Sequence, residues 1–187
     1  MVFSADLEDT SAIQKAIEIL SQSFDLVMIS DYFEESMILL KHLNCWEIED
    51  VLYLITNSRS EKEKISQDYA EKIYSWNKAD TMIYNHFNKT FWKTIEVYGI
   101  EKMKIEKEKL KAAVEHIKEK CFDGMTNDPA AARAAGQFRP NAKVQINSFI
   151  VKDSMKQNEL CLGLARPELR FAAKIFRKQF PEWNSWY

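Results

Sequence analysis

Apolar residues along this chain fall into two patterns: short continuous runs near the front, and stripes at helical spacing behind them. Phe24 to Ile29 and Val51 to Ile55 are runs of the first kind, which suits strands covered on both faces. Between them Phe33, Met37, Leu40 and Leu43 recur at helical spacing, with Glu34, Glu35, Lys41 and His42 toward the other side. Asp31 is placed to cap that helix, and Glu34 completes a capping-box-like pair. Residues 24–56 therefore read as one βαβ unit of an α/β fold. Two parallel strands do not make a stable sheet alone, so an exposed strand edge and further partner strands upstream are expected.

The rest of the chain reads as helical. Ile13, Ile17 and Leu20 mark a first helix after Thr10 or Ser11. Ser60 and Glu63 form a capping box for a helix carrying Ile65, Tyr69, Ile73 and Trp76 along one face. From about Asp80 a further stripe runs through Tyr84, Phe87, Phe91, Ile95 and Tyr98, with Gly99 placed as the stop. This aromatic stripe reads as core packing or as a wall for a bound acceptor. Residues 101–120 are dense in Lys and Glu around a narrow seam of Met103, Leu110, Val114, Ile117 and Cys121, which predicts a solvated helix with one buried edge. The helical region thus spans 60–121. Gly124, Asn127-Asp128-Pro129, Gly136 and Pro140 then mark a loop over 122–146. A C-terminal helical segment occupies 147–187, its last helix beginning at Pro167, burying Leu169, Ala172, Ala173 and Phe176, and ending before Pro181.

Composition narrows the function classes. With 46% hydrophobic and 29% charged residues and a formal charge of −2, the chain can bury a core and has no bias toward nucleic acid or anionic lipid. No apolar run approaches the roughly 18 residues of a membrane span, and the start lacks a basic region followed by an apolar core. The three cysteines contain no Cys-x-x-Cys pair, so no metal is expected. None of the four glycines sits in a Gly-rich turn between strand and helix, and the one such turn carries Asp31, Glu34 and Glu35, which repel a phosphate. His42 and His116 fall on polar helix faces, while His86 lies beside the aromatic stripe and the sequon Asn88-Lys89-Thr90. No residue is assigned as catalytic.

The hexapeptide Asp31-Tyr32-Phe33-Glu34-Glu35-Ser36 resembles the acidic-Tyr-Phe-acidic-Glu-Ser signature of the galactose 3-O-sulfotransferases. Leu39-Leu40-Lys41-His42-Leu43-Asn44-Cys45-Trp46 and His86-Phe87-Asn88-Lys89-Thr90-Phe91-Trp92 are similar to two further elements of that family, and Leu160-Cys161 with Pro167-Glu168 repeats a third spacing. The similarity runs from about Leu7 to about Phe180. It implies the C-terminal portion of a P-loop-like α/β sulfotransferase fold, 3′-phosphoadenosine 5′-phosphosulfate as co-substrate, and a galactose-terminated glycolipid or glycan as acceptor. It also implies a lumenal Golgi location, with the donor loop and the membrane anchor upstream of these residues.

Several residues take expected roles from this resemblance. Asp31, at the carboxyl end of the first apolar run, reads as a helix cap or as an acceptor contact. Lys152 and Ser154 resemble the family's late Lys-Ser segment, which implies a donor contact; a solvated loop is the other reading. Asn88 matches an asparagine that carries a glycan in the family. A lumenal location implies one disulfide with one cysteine left over, for which Cys121 with Cys161 is preferred because they bracket the least regular region; three buried thiols are the alternative. The competing function class is a non-enzymatic helical interaction module that uses the Lys/Glu-rich helix for a partner.

Overall fold

Helix start and stop signals decide most of the architecture in the computed structural model, which describes residues 9–55, 65–128, 130 and 148–183. The chain divides into two units, Met1–Val51 with Lys62–Leu110, and Leu52–Glu61 with Lys111–Tyr187.

In the first unit α1 (Thr10–Ser23) begins at Asp9, whose carboxylate accepts the Ser11 N–H at 2.8 Å. Its Ile13 and Ile17 are buried, and it packs on the long α4 (Lys78–Tyr98), which buries Phe87, Phe91 and Ile95. Gly99 ends α4 at φ 103°, where its N–H reaches the Ile95 carbonyl at 2.9 Å; this backbone geometry strains any residue bearing a Cβ. The chain enters α5 (Ile100–Cys121) at once, and Met103 and Leu110 continue the first core. Between the first apolar run and α4 lie α2 (Phe33–Leu43) and α3 (Gln67–Trp76), the latter capped by Ser66. Ser60 and Glu63 lie outside the described residues. The face of α3 read as buried is not: Ile65, Tyr69, Ile73 and Trp76 are all exposed.

Two expectations for the front of the chain are corrected. Phe24 to Ile29 is extended, with φ −126° and ψ 128° at Phe24, but enters no ladder, and Val51 closes a 3₁₀ turn (Ile48–Val51) rather than opening a strand. No βαβ unit forms among the described residues, because a strand needs a hydrogen-bonded neighbour and neither run meets one there. Ile29 is served by a side chain, described below, while Leu52 and Leu54 pack into the second unit's core. The buried side of α2 is also rotated from the expected one. Ser36, Ile38 and Leu39 are buried, whereas Phe33 and Leu43 are exposed.

The second unit starts with the last part of α5, where Val114, Ile117 and Cys121 are buried. Phe122–Thr126, read as loop, is a strand, β1, that pairs antiparallel with β2 (Ser148–Val151). Phe122 faces Val151 and Thr126 faces Ser148, with a register shift between Phe122 and Gly124. The ladder skips Asp123, and the breaker Gly124, at φ 148°, resumes the pairing opposite Ile150 just after this bulge. The remainder of the expected loop, 131–147, lies outside the described residues. A 3₁₀ turn (Asp153–Met155) leads to the short α6 (Glu159–Ala165), and Pro167 caps α7 (Glu168–Gln179). The core here is Ile117, Cys121, Phe122 and Cys161, with Leu52, Leu54 and Phe149 against it. The expectation that α7 buries Leu169, Ala172, Ala173 and Phe176 fails: no residue of α7 is buried, and these four line an open groove of about 690 Å³.

Candidate functional site

The junction from Asp31 to Ser36 is held residue by residue within the first unit. Ser36 is buried at 1% exposure, and its hydroxyl answers both main-chain groups of Ile29, accepting the N–H at 3.0 Å and donating to the carbonyl at 3.1 Å. One side chain thereby replaces one residue of strand partner, which explains an extended, half-buried segment with no sheet. Tyr32 lies over Phe91 with ring centroids 5.8 Å apart and meets Trp92 edge-on at 4.9 Å. The start of α2 is therefore seated on the aromatic stripe of α4.

Asp31 is not the cap of α2. It sits in a 3₁₀ turn (Ser30–Tyr32), Tyr32 occupies the cap position without a side-chain cap bond, and Asp31 Oδ2 instead accepts the Tyr84 hydroxyl at 2.8 Å. That hydrogen bond, ahead of desolvation, raises the Tyr84 phenol above its ordinary range. The result is an exposed carboxylate and phenol pair bridging the junction to α4, a hydrogen-bonding dyad of the kind a sugar hydroxyl can join.

The two glutamates of the junction are paired from α5. Lys107 Nζ bonds Glu35 and stands 3.7 Å from Glu34, while Lys41 reaches Glu106 at 3.3 Å. Glu106 also takes Lys109 at 2.9 Å, and the hydrogen bonds from Lys109 and Lys41 hold its carboxyl below the usual carboxylate range. These contacts rotate α2 so that Glu35 lies on the same side as Ile38 and Leu39. Sequence reasoning placed Tyr84 in the aromatic stripe without its bond to Asp31, and missed Lys107 and Glu106: a Lys/Glu-rich helix reads as solvated, and nothing in its periodicity says which charges face a neighbour.

In the second unit Lys152 Nζ donates to the Glu119 carbonyl at 2.6 Å, and Ser154 lies exposed in the 3₁₀ turn beside the Asp153–Lys156 ion pair of 2.6 Å. This arrangement does not fit a nucleotide bearing two phosphate ends. The Lys152 ammonium is tied to a carbonyl, that of Lys156 to the Asp153 carboxylate next to the serine, and no Gly-rich turn leads from strand to helix among the described residues there. Among the described residues no group of His, Cys, Asp and Glu is placed to hold a metal ion. Cys121 and Cys161 are joined by a disulfide across 40 residues, and Cys45 is a free, exposed thiol.

Asn88 lies beside the aromatic stripe of α4 rather than opposite it, half-buried, with Oδ1 shielded and without a hydrogen-bond partner. The Thr90 hydroxyl of its sequon donates to the His86 carbonyl at 3.0 Å. His86 Nε2 stands 3.2 Å from Ser21 Oγ; since the serine proton goes to the Ile17 carbonyl at 2.8 Å, we assign the imidazole as the donor of that contact.

Residues 3–179 match the protein-family profile described as Galactose-3-O-sulfotransferase. The chain is 34% identical over 177 residues to galactosylceramide sulfotransferase of Bos taurus, covering 90% of the chain and 42% of that protein. It is 34% identical over 166 residues to galactosylceramide sulfotransferase of Homo sapiens, covering 85% of the chain and 39% of that protein. It is 31% identical over 185 residues to galactose-3-O-sulfotransferase 3 of Bos taurus, covering 92% and 42%. The chain thus spans about two-fifths of the length of these curated relatives. No solved structure matches it.

Proposed function

Since the chain belongs to the galactose-3-O-sulfotransferase family, we propose that it forms part of a galactosylceramide sulfotransferase-like enzyme. In this reading sulfate passes from 3′-phosphoadenosine 5′-phosphosulfate to the 3-hydroxyl of a terminal galactose on a glycolipid or glycan. The family match over 3–179 carries the reading. The α/β sulfotransferase fold and a Golgi lumenal setting belong to it; among the described residues no helix is long and apolar enough to cross a membrane.

Sulfuryl transfer needs a base for the acceptor hydroxyl, cations for the developing charge, and in-line alignment. The described residues suit the acceptor half of that task. Asp31, supported by Tyr84, offers an exposed carboxylate to an acceptor hydroxyl, and Tyr32, Phe91 and Trp92 fix the turn that carries it. Lys107 pairs with both Glu34 and Glu35 and offsets one of their two charges, whereas the Asp31 carboxylate is held by the Tyr84 phenol.

The test is transfer of labelled sulfate by the protein containing this chain to galactosylceramide and to a β-galactoside. The expected result is label on the 3-hydroxyl, with Asp31→Asn raising KM for the acceptor about tenfold, the loss of one charge-assisted hydrogen bond. No transfer to either acceptor, with a related sulfotransferase active alongside, would overturn the reading. A glycan on Asn88 belongs to the same setting, the glycan being added to the extended chain before α4 closes over the amide oxygen. Expression through a secretory pathway should give a band that peptide-N-glycosidase shifts and that Asn88→Gln abolishes. An unshifted wild-type band rules the glycan out.

A further inference from the structure

A cleft of about 170 Å³ opens within the first unit, between the end of α1, the start of the extended segment and the middle of α4. Its walls include Ser21, Phe24, Asp25, Thr90, Phe91 and Thr94. None of the roles assigned above uses it. Phe24 is 58% exposed, so its ring is open to a ligand, and the Asp25 carboxylate beside it is also exposed.

The polarity of the lining is one-sided. Ser21 donates its hydroxyl proton to the Ile17 carbonyl, Thr90 to that of His86, and Thr94 to that of Thr90 at 3.1 Å. With those protons engaged, the Thr90 and Thr94 oxygens offer lone pairs only, and so does the Asp25 carboxylate. Among the described residues no Lys, Arg or His lines the cleft. A surface of acceptors without a cation repels sulfate and phosphate and attracts a neutral molecule rich in hydroxyl donors. The aromatic wall suits the apolar face of a sugar ring, and galactose in particular, because its axial hydroxyl leaves one face of the ring bare. The volume is well below the roughly 300 Å³ where drug-sized sites begin, which suits a single pyranose.

We propose that this cleft is the seat of the terminal galactose, whose apolar face lies on Phe24 and whose hydroxyls donate to Asp25 and the two threonine oxygens. The inference rests on the galactose-transferring reading above; with the terminal galactose seated here, the Asp31–Tyr84 dyad takes a hydroxyl elsewhere on the acceptor.

Saturation-transfer NMR with methyl β-galactoside, on the intact protein, tests it. The expected result is binding that Asp25→Ala and Phe24→Ala each weaken about tenfold, while Phe24→Tyr, which keeps the ring, stays within about twofold of wild type. Both positions are exposed, so far-UV circular dichroism of the variants should match wild type, and the tyrosine variant separates ring loss from misfolding. Galactoside binding that survives both alanine variants would overturn the cleft and leave the functional reading standing, with the site moved toward Asp31. Absence of any galactoside binding would also overturn it, and the sulfate-transfer assay then decides separately whether the wider reading falls. Inorganic sulfate displacing the galactoside from the cleft would overturn the charge argument and the proposal with it.

Discussion

Cys45 shows how much a single backbone angle decides. It follows α2 at φ 54°, its N–H bonds the His42 carbonyl at 3.3 Å, and the Trp46 N–H bonds the Lys41 carbonyl at 2.9 Å. This paired closure is a Schellman motif with a cysteine at the left-handed position where glycine is preferred. Its side chain is exposed and unpaired, so the cysteine contributes strain and little packing. Cys45→Gly should therefore stabilise the protein by about 1 kcal/mol, read as a higher urea midpoint at unchanged slope. A lower midpoint would mean that the thiol makes contacts worth more than the backbone strain. Gly99, at φ 103°, already satisfies the same kind of demand with the residue that suits it. Ser36 teaches a related lesson. Its place in the hexapeptide is plain in the sequence, but its work as a stand-in for a strand partner is visible only when Ile29 is seen against it.

At the scale of elements, legibility followed the locality of the signal. The stop at Gly99, the stripe Phe87, Phe91 and Ile95, and the seam from Met103 to Cys121 depend on neighbours within a turn or two, and all are in place. The apolar runs misled because being extended and being paired are separate facts, and pairing is a long-range matter. β1 was hidden for the converse reason: a glycine that reads as a breaker also stands in a ladder, just after its bulge. The junction was legible as a hexapeptide, but the contacts reaching it from α4 and α5 were not. Those contacts carry a pH dependence. The Glu106 carboxyl is lowered, by Lys109 first and then Lys41, so its stabilising effect is present above the ordinary glutamate range and fades as pH falls through the lowered value. Urea unfolding followed from neutral to acid pH should lose stability in that window, and Glu106→Gln should flatten the slope there. An acid limb identical in wild type and variant would show that Glu106 does not couple α2 to α5.

At the scale of the whole molecule, the disulfide belongs to one unit only. Cys121 and Cys161 lie at 0% exposure in the second core, and the 40-residue loop that they close corresponds to about 4 kcal/mol by chain-entropy reasoning. The first unit has no such cross-link among its described residues, and its core includes Ile13, Ile17, Ile38, Phe87, Phe91 and Ile95. Thermal unfolding with and without reductant should therefore show one component that moves down by many degrees and one that stays. A single transition shifting as a whole would mean that the two units melt together. The choice of production host inherits this asymmetry. In an oxidising secretory pathway both halves should mature, whereas a reducing bacterial cytosol should yield a half-native product whose segment after Leu110 is open to proteases. The same product would still carry Phe24, Asp25 and their facing threonines in working order, so retained galactoside binding would be a poor certificate of correct folding for this protein.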